Sequence, residues 1–261
     1  MDTSIMLNTA GVLLAVMSAM WIVSVVLKDA SIVDPVWSLL FVIIAASSIY
    51  QTEVTPGKML VLGCVGLWGV RLSVHLLVRF IGEEEEDPRY QAFRRHFGVD
   101  RYWWVSYFQV FILQGCLAFL VSAPLQVAGT AGASDPLMVN DWIGLVFFAV
   151  GLYFEVVGDW QLTKFKQNPA MKGKVLNTGL WRYTRHPNYF GDTCLWWGLW
   201  LMCLDEPLGL AAIVGPLVMS FLLMRVSGVP MLENRMKKTR EGYEDYVRQT
   251  SSFFPRPPRA L

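Results

Sequence analysis

An all-α integral membrane fold is predicted by three features of this sequence. Hydrophobic residues make up 54% of it and charged residues only 16%, with mean hydropathy +0.40, whereas a soluble domain carries about 25% charge. The apolar residues gather into runs long enough to cross a bilayer as helices. Lys and Arg fall almost wholly between alternate runs, as the positive-inside rule requires. A net charge of +1 says nothing about nucleic acid, and no nucleic-acid partner is expected. Cys64, Cys116, Cys194 and Cys203 lie in apolar runs and read as core residues. His75, His96 and His186 share no metal-ligand spacing, so no metal site is expected.

The runs predict seven spans, at 5–27, 36–50, 59–80, 103–127, 142–162, 189–204 and 208–224. The first is too long for the core of a signal peptide and has no basic residue before it, so it reads as a retained span. Residues 82–101 read as a charged loop and 128–134 as a small-residue loop. A polar tail occupies 225–261, with a juxtamembrane helix over 233–249 that ends before Pro255. No internal repeat or low-complexity linker divides the chain, so residues 1–261 read as one membrane domain. Of the 22 Lys and Arg residues, all but Lys58 and Arg71 fall on one side of this arrangement. That puts the N-terminus outside and the C-terminus in the cytoplasm.

The stretch 178–192, Thr-Gly-Leu-Trp-Arg-Tyr-Thr-Arg-His-Pro-Asn-Tyr-Phe-Gly-Asp, concentrates the chemistry. Pro187 suits a helix's first turn, so a helix is expected near Asn188, with Arg182, Arg185 and His186 as anion donors before it. Ionisable groups within spans are functional hypotheses by default. Glu155 and Asp159, four apart, share one helix face, and Lys166 joins it if the helix continues. Snorkelling from a helix end would also account for Asp159. Arg71 and His75 form a second intramembrane set, with Asp34 available to Arg71 either as a packing pair or within a substrate site. Gln109 and Gln114 read as helix-packing groups.

Together these residues resemble the C-terminal domain family of the steroid 5α-reductases, in its bacterial-type membrane branch. The resemblance rests on the 178–192 stretch and four others: Val33-Asp-Pro-Val-Trp37; Glu86-Asp-Pro-Arg-Tyr-Gln-Ala-Phe-Arg94; Glu155 to Asp159 leading into Phe165-Lys166; and Gly242-Tyr-x-x-Tyr-x-x-x-Thr-Ser-x-Phe-x-Pro255. It implies a seven-helix reductase holding NADPH on its cytoplasmic side. Glu155, Asp159, Lys166, Tyr183, Arg185, Asn188, Tyr189 and Asp192 match its cofactor positions, as do Arg235 and Tyr243 in the tail. The characterised steroid reductases lack the His186-Pro187 pair. They hold the substrate carbonyl with a Glu and a Tyr from the second and third spans, for which this sequence shows no clear counterpart.

Isoprenylcysteine carboxyl methyltransferases, which bind S-adenosylmethionine, share an Arg-His-Pro-x-Tyr-x-Gly stretch and a tail with Glu and Tyr. Their tail carries Glu-Glu where this chain has Glu233-Asn234, which favours the reductase. A non-catalytic lipid-binding membrane protein is the third reading. The expectation is therefore NADPH-dependent reduction of a carbon–carbon double bond conjugated to a carbonyl, in a steroid-like or isoprenoid-like lipid entering from the bilayer. Arg182, Arg185, Lys166 and Lys174 would hold phosphates, with His186 beside them. Asp159, Asn188 and Glu155 would hold ribose or nicotinamide amide. His75 and Arg71, oriented by Asp34, are the candidates to polarise the carbonyl. The setting would be the inner membrane of a bacterium or the endoplasmic reticulum of a eukaryote.

Overall fold

The computed structural model describes residues 3–130, 137–226 and 228–259, the side chains of Pro230, Met231 and Arg235 excepted. It is all-helical among those residues, with one isolated bridge between Thr184 and Ser251. Five helical stretches are long and apolar enough to cross a membrane: Thr3–Leu27, Ala30–Tyr50, Pro56–Ile81, Tyr102–Val121 and Val139–Gln167. The two remaining apolar runs form shorter helical stretches, Pro187–Leu201 and Ala211–Val226. The chain divides into two compact units, Met1–Asp141 with Met202–Val214, and Trp142–Leu201 with Gly215–Leu261.

In the first unit, α1 (Thr3–Leu27) leads through a short 3-10 turn into α2 (Val33–Tyr50). The helix begins two residues before Pro35, which the first turn tolerates because an N–H there has no helical partner. Thr55 caps α3 (Pro56–Ile81) by accepting from the Lys58 N–H, and Pro56 opens it. The two helices pack closely at Gly69, where a Cβ would meet Val42 at 2.7 Å and the Ser38 carbonyl at 2.9 Å. Ser38 donates to the Gly69 carbonyl across the same contact.

The expected loop at 82–101 contains a helix, α4 (Pro88–Phe97). Asp87 caps it through the Arg89 N–H and Pro88 opens it, a start signal legible in Asp-Pro. The fourth apolar run is α5 (Tyr102–Ser106), a π-helical turn (Tyr107–Ile112) and α6 (Leu113–Val121). It stops short of the expected 127 and restarts as α7 (Ala123–Thr130), because Pro124 has no N–H for the preceding turn. The expected loop at 128–134 falls on the end of α7 and, from 131, outside the described residues. Cys64 and Cys203 are buried as expected, but Cys116 is exposed.

The second unit is built on α8 (Val139–Gln167), α9 (Pro187–Leu201) and α10 (Val214–Phe221) with its π-helical turn (Leu222–Val226). Gly144, Gly151 and Gly158 recur every seven residues and line one stripe of α8. A Cβ on Gly151 would lie 2.5 Å from the Gly191 carbonyl, and one on Gly191 2.5 Å from that of Gly151. At Gly198 the intruded group would be the Gly144 carbonyl, at 2.6 Å. The α8 and α9 backbones therefore touch along a glycine seam, the small-residue packing that membrane helices use where apolar burial gives no drive. The tail forms two helices, α11 (Val229–Thr239) and α12 (Tyr243–Gln249), instead of one. The break falls at Gly242, whose φ of +72° belongs to the left-handed region.

Replacing Gly191 by Ala should force the helices apart and destabilise the fold by about 1–3 kcal/mol, the usual cost of overpacking. Gly63→Ala, where nothing lies within 4 Å, is expected to be neutral or stabilising in the same thermal-unfolding measurement.

Candidate functional site

The glycine seam determines what faces α9. Glu155 lies four residues beyond Gly151 and so continues the seam's face, with Asp159 one turn further. Both carboxylates are buried, at 3% and 7% exposure. The Glu155 backbone N would lie 2.6 Å from a Cβ on Gly191, and Gly158 admits Pro187 and the Asn188 backbone N at 3.2–3.3 Å. Asn188 thereby reaches α8, where its Nδ2 donates to Asp159 Oδ1 at 3.1 Å, while its Oδ1 accepts from the Tyr189 N–H at 3.1 Å. The turn before α9 lies on the same end of α8. Leu180 N donates to Gln161 Oε1 at 3.0 Å, and Trp181 Nε1 to the Gly158 carbonyl at 3.1 Å.

A second cluster joins this stretch to the tail. Arg185 is buried and donates from Nε and Nη2 to Glu233 Oε1, at 2.9 and 2.8 Å. Its Nη1 bonds the carbonyls of Val247 and Thr250. His186 Nε2 lies 3.3 Å from Glu233 Oε1, and its ring stacks on Tyr189 with centroids 5.5 Å apart. Tyr246 OH donates to the Trp181 carbonyl, Thr184 Oγ1 to that of Phe253, and Arg185 N to that of Ser251. The tail is thus laid along residues 181–186 like a strap. Burial pushes the Glu233 carboxyl up, but hydrogen bonds from His186 and Arg185 outweigh it and hold the group below its ordinary 4.5. Burial, with the Glu233 charge adding to it, raises the Tyr243 phenol to about 12, against the opposing pull of Arg185.

The sequence-selected residues therefore separate into distinct settings. Glu155, Asp159 and Asn188 converge in the buried end of α8, with Tyr189 and Asp192 in the first turns of α9. Arg185, His186 and Tyr243 converge on Glu233, so the Arg185 guanidinium is directed at the tail. Lys166, Lys174, Arg182 and Tyr183 are exposed. Arg235 belongs to α11, its side chain outside the described residues.

The proposed carbonyl-polarising set lies in the first unit, with Arg71 and His75 half-buried on α3. Asp34, in the first turn of α2, accepts from Tyr90 OH at 2.6 Å and pairs with the Arg89 guanidinium. Gln114 Nε2 lies 3.3 Å from the same phenol oxygen. Burial, reinforced by the Asp34 charge, holds Tyr90 well above its ordinary pKa of 10. Sequence reasoning passed over Tyr90 and Arg89 because their stretch read as a loop, although Glu-Asp-Pro-Arg-Tyr was legible there. It weighed Glu233 only against a paired Glu-Glu and missed its contact with Arg185.

Residues 20–250 match the family of proteins of unknown function DUF1295. An uncharacterized protein of Schizosaccharomyces pombe, C594.04c, is 24% identical over 207 residues, covering 70% of this chain and 60% of that one. A probable O-methyltransferase of Ustilaginoidea virens, ustE, is 38% identical over 79 residues, 30% of this chain and 27% of that protein. This chain's matches thus span less than two thirds of either relative. No solved structure matches.

Glu233→Gln should strand the buried Arg185 charge and destabilise the second unit by about 3–5 kcal/mol, as loss of one partner of a buried ion pair does. Because the folded Glu233 pKa lies below 4.5, its contribution is present above that value and lost as pH falls through the folded pKa. The hydrogen-exchange protection of residues 243–256, taken relative to the intrinsic exchange rate at each pH, should therefore fall in acid in the wild type, and Glu233→Gln should lack that acid-dependent loss.

Proposed function

This chain belongs to the DUF1295 family, and we propose that it is an NADPH-dependent membrane reductase. Its substrate is a carbon–carbon double bond conjugated to a carbonyl, in a steroid-like or isoprenoid-like lipid that enters from the bilayer. The observation that carries this reading is the buried Glu155–Asp159 face of α8 with Asn188 bonded to it, in a chain whose neighbouring Lys166, Lys174 and Arg182 are exposed. Carboxylates and a carboxamide suit ribose hydroxyls and a nicotinamide amide, and exposed cations suit phosphates. The donor set fits a dinucleotide by its chemistry. Arg185, turned to the tail, positions the loop, and the phosphate role passes to Lys166, Lys174 and Arg182.

Bound NADPH would supply the hydride; the chain's own residues bind, orient and exclude water. The carbonyl must be polarised as charge develops on its oxygen. To His75, Arg71 and Asp34 we add Tyr90, whose phenol is bonded to Asp34 and remains protonated. A carboxyl and a tyrosine also make up the substrate-holding pair of the steroid reductases that this sequence resembles. A seven-span topology completes the reading, with the N-terminus outside, the C-terminus cytoplasmic and Pro187–Leu201 and Ala211–Val226 as the last two spans. It is supported by the one-sided distribution of Lys and Arg.

The second reading, an S-adenosylmethionine-dependent methyltransferase, is favoured by the match to ustE and by the affinity of buried carboxylates for a sulfonium or ammonium charge. Thermal shift and calorimetry on the detergent-purified chain distinguish the two, since a ligand that binds only the folded state raises its apparent stability. Stabilisation by NADPH and not by S-adenosylmethionine is expected; the reverse replaces the reductase with the methyltransferase. Binding of neither leaves a membrane fold without an assigned function. Asn188→Ala should weaken NADPH binding about tenfold, the scale of one lost hydrogen bond to a polar ligand. Tyr90→Phe should lower turnover on the order of 100-fold, as loss of one oxyanion donor does, with NADPH affinity unchanged.

A further inference from the structure

A cavity of about 330 Å³ lies in the first unit, at the end of α1, the beginning of α5 and the C-terminal half of α4. Its charged lining residues are Lys28 and Arg94, and no carboxylate lines it. Lys28 is the one non-glycine residue with positive φ among those described, at 55°, an unfavourable conformation for a long side chain. Its ammonium is exposed and has no partner among the described residues. Arg94 donates to Glu86 from Nε at 3.0 Å and Nη2 at 2.8 Å, and from Nη2 to the Lys28 carbonyl at 3.1 Å. Its Nη1 has no partner among the described residues, and its guanidinium stacks over the Tyr102 ring at 4.7 Å. Of the neighbouring carboxylates, Glu86 is paired with Arg94 and also accepts from Ala30 N, and Asp29 accepts from Ser31.

Tyr102 points to a ligand. It lines the cavity, is 1% exposed, and its hydroxyl has no hydrogen-bond partner among the described residues, although buried hydroxyls are almost always bonded. The Lys28 ammonium, the Arg94 Nη1 left over from its pairing with Glu86, and a buried hydroxyl without a partner among the described residues form a set suited to the oxygens of a phosphate. The cavity also lies where two membrane-length helices end, Leu27 closing one and Tyr102 opening the other. Exposed Val25, Val99 and Trp103 also line it, with Ser24, Ala30 and Ser106. We propose that this cavity binds an anionic phosphate head group, with Lys28, Arg94 and Tyr102 on the phosphate and the apolar residues against the adjoining chain. Basic pockets between spans hold anionic lipids in this manner. The volume is at the lower end of the ~300–1,000 Å³ that ligand sites occupy.

The test compares thermal unfolding of the full chain in nanodiscs of phosphatidylcholine with and without phosphatidylglycerol, and in detergent titrated with inorganic phosphate or glycerol 3-phosphate. Saturable stabilisation by phosphatidylglycerol is expected. Lys28→Asn, which keeps a residue tolerant of positive φ, should weaken it about fivefold. Tyr102→Phe should leave stability in pure phosphatidylcholine unchanged, because the hydroxyl has no partner among the described residues to lose, and should weaken the anionic-lipid effect by a similar factor. Stabilisation by the soluble phosphates with the same dependence on Lys28 and Tyr102 supports the site and assigns it to a free phosphate source. Equal stability in both bilayers with no effect of soluble phosphate overturns the proposal. An anionic-lipid effect unchanged in both variants overturns it as well.

Discussion

The approach of two backbones along the Gly151–Gly191 seam is the constraint on which the second unit depends. Each glycine contacts the other helix's backbone at a distance that no Cβ allows. Because side chains four residues apart share a face, the helix surface brought against α9 continues directly into Glu155 and Asp159. A pair of carboxylates in an apolar helix is costly unless something nearby bonds them. The same close approach supplies Asn188, which bonds Asp159. Packing and polar chemistry here are two results of one contact, and residues with no side chain hold the charged ones in place.

The strap gives the loop before α9 its conformation. Residues 180–186 make few regular helical bonds of their own, so their backbone and side-chain groups are bonded by groups from outside the segment. Gln161 and the Gly158 carbonyl bond Leu180 and Trp181, and the carbonyls of Ser251 and Phe253 accept from the Arg185 N–H and the Thr184 hydroxyl. Arg185 and Glu233 then neutralise one another within that frame, with two tail carbonyls filling Nη1. A buried guanidinium with its donors directed in this way orders the chain around it.

Much of the fold was legible because apolar run length is a strong signal in a membrane chain. The first five runs became long helical stretches, with ends from zero to six residues from those expected. Pro124 and Gly242, which broke two expected helices, could have been read as breakers. The glycine repeat on α8 was visible as a seven-residue spacing but has meaning only when a partner helix presents Gly191 and Gly198. The Asp159–Asn188 bond joins residues 29 apart and the Asp34–Tyr90 bond residues 56 apart. Sequence periodicity, which works within one helix, gives no access to such pairs. Arg185 shows the sharper limit. Residue type and neighbourhood made it a phosphate ligand, and only the path of the tail revealed a carboxylate and two carbonyls around it.

The strap also fixes an order of events in synthesis. Arg185 emerges 48 residues before Glu233, 62 before Val247 and 65 before Thr250. Until those residues have left the ribosome, a cation destined for burial has none of its strap partners, and the loop before α9 has no strap to shape it. The membrane helices can insert as they are made, but the region around Arg185 closes last. A message cut short upstream of codon 233 would therefore yield an inserted protein whose loop never sets.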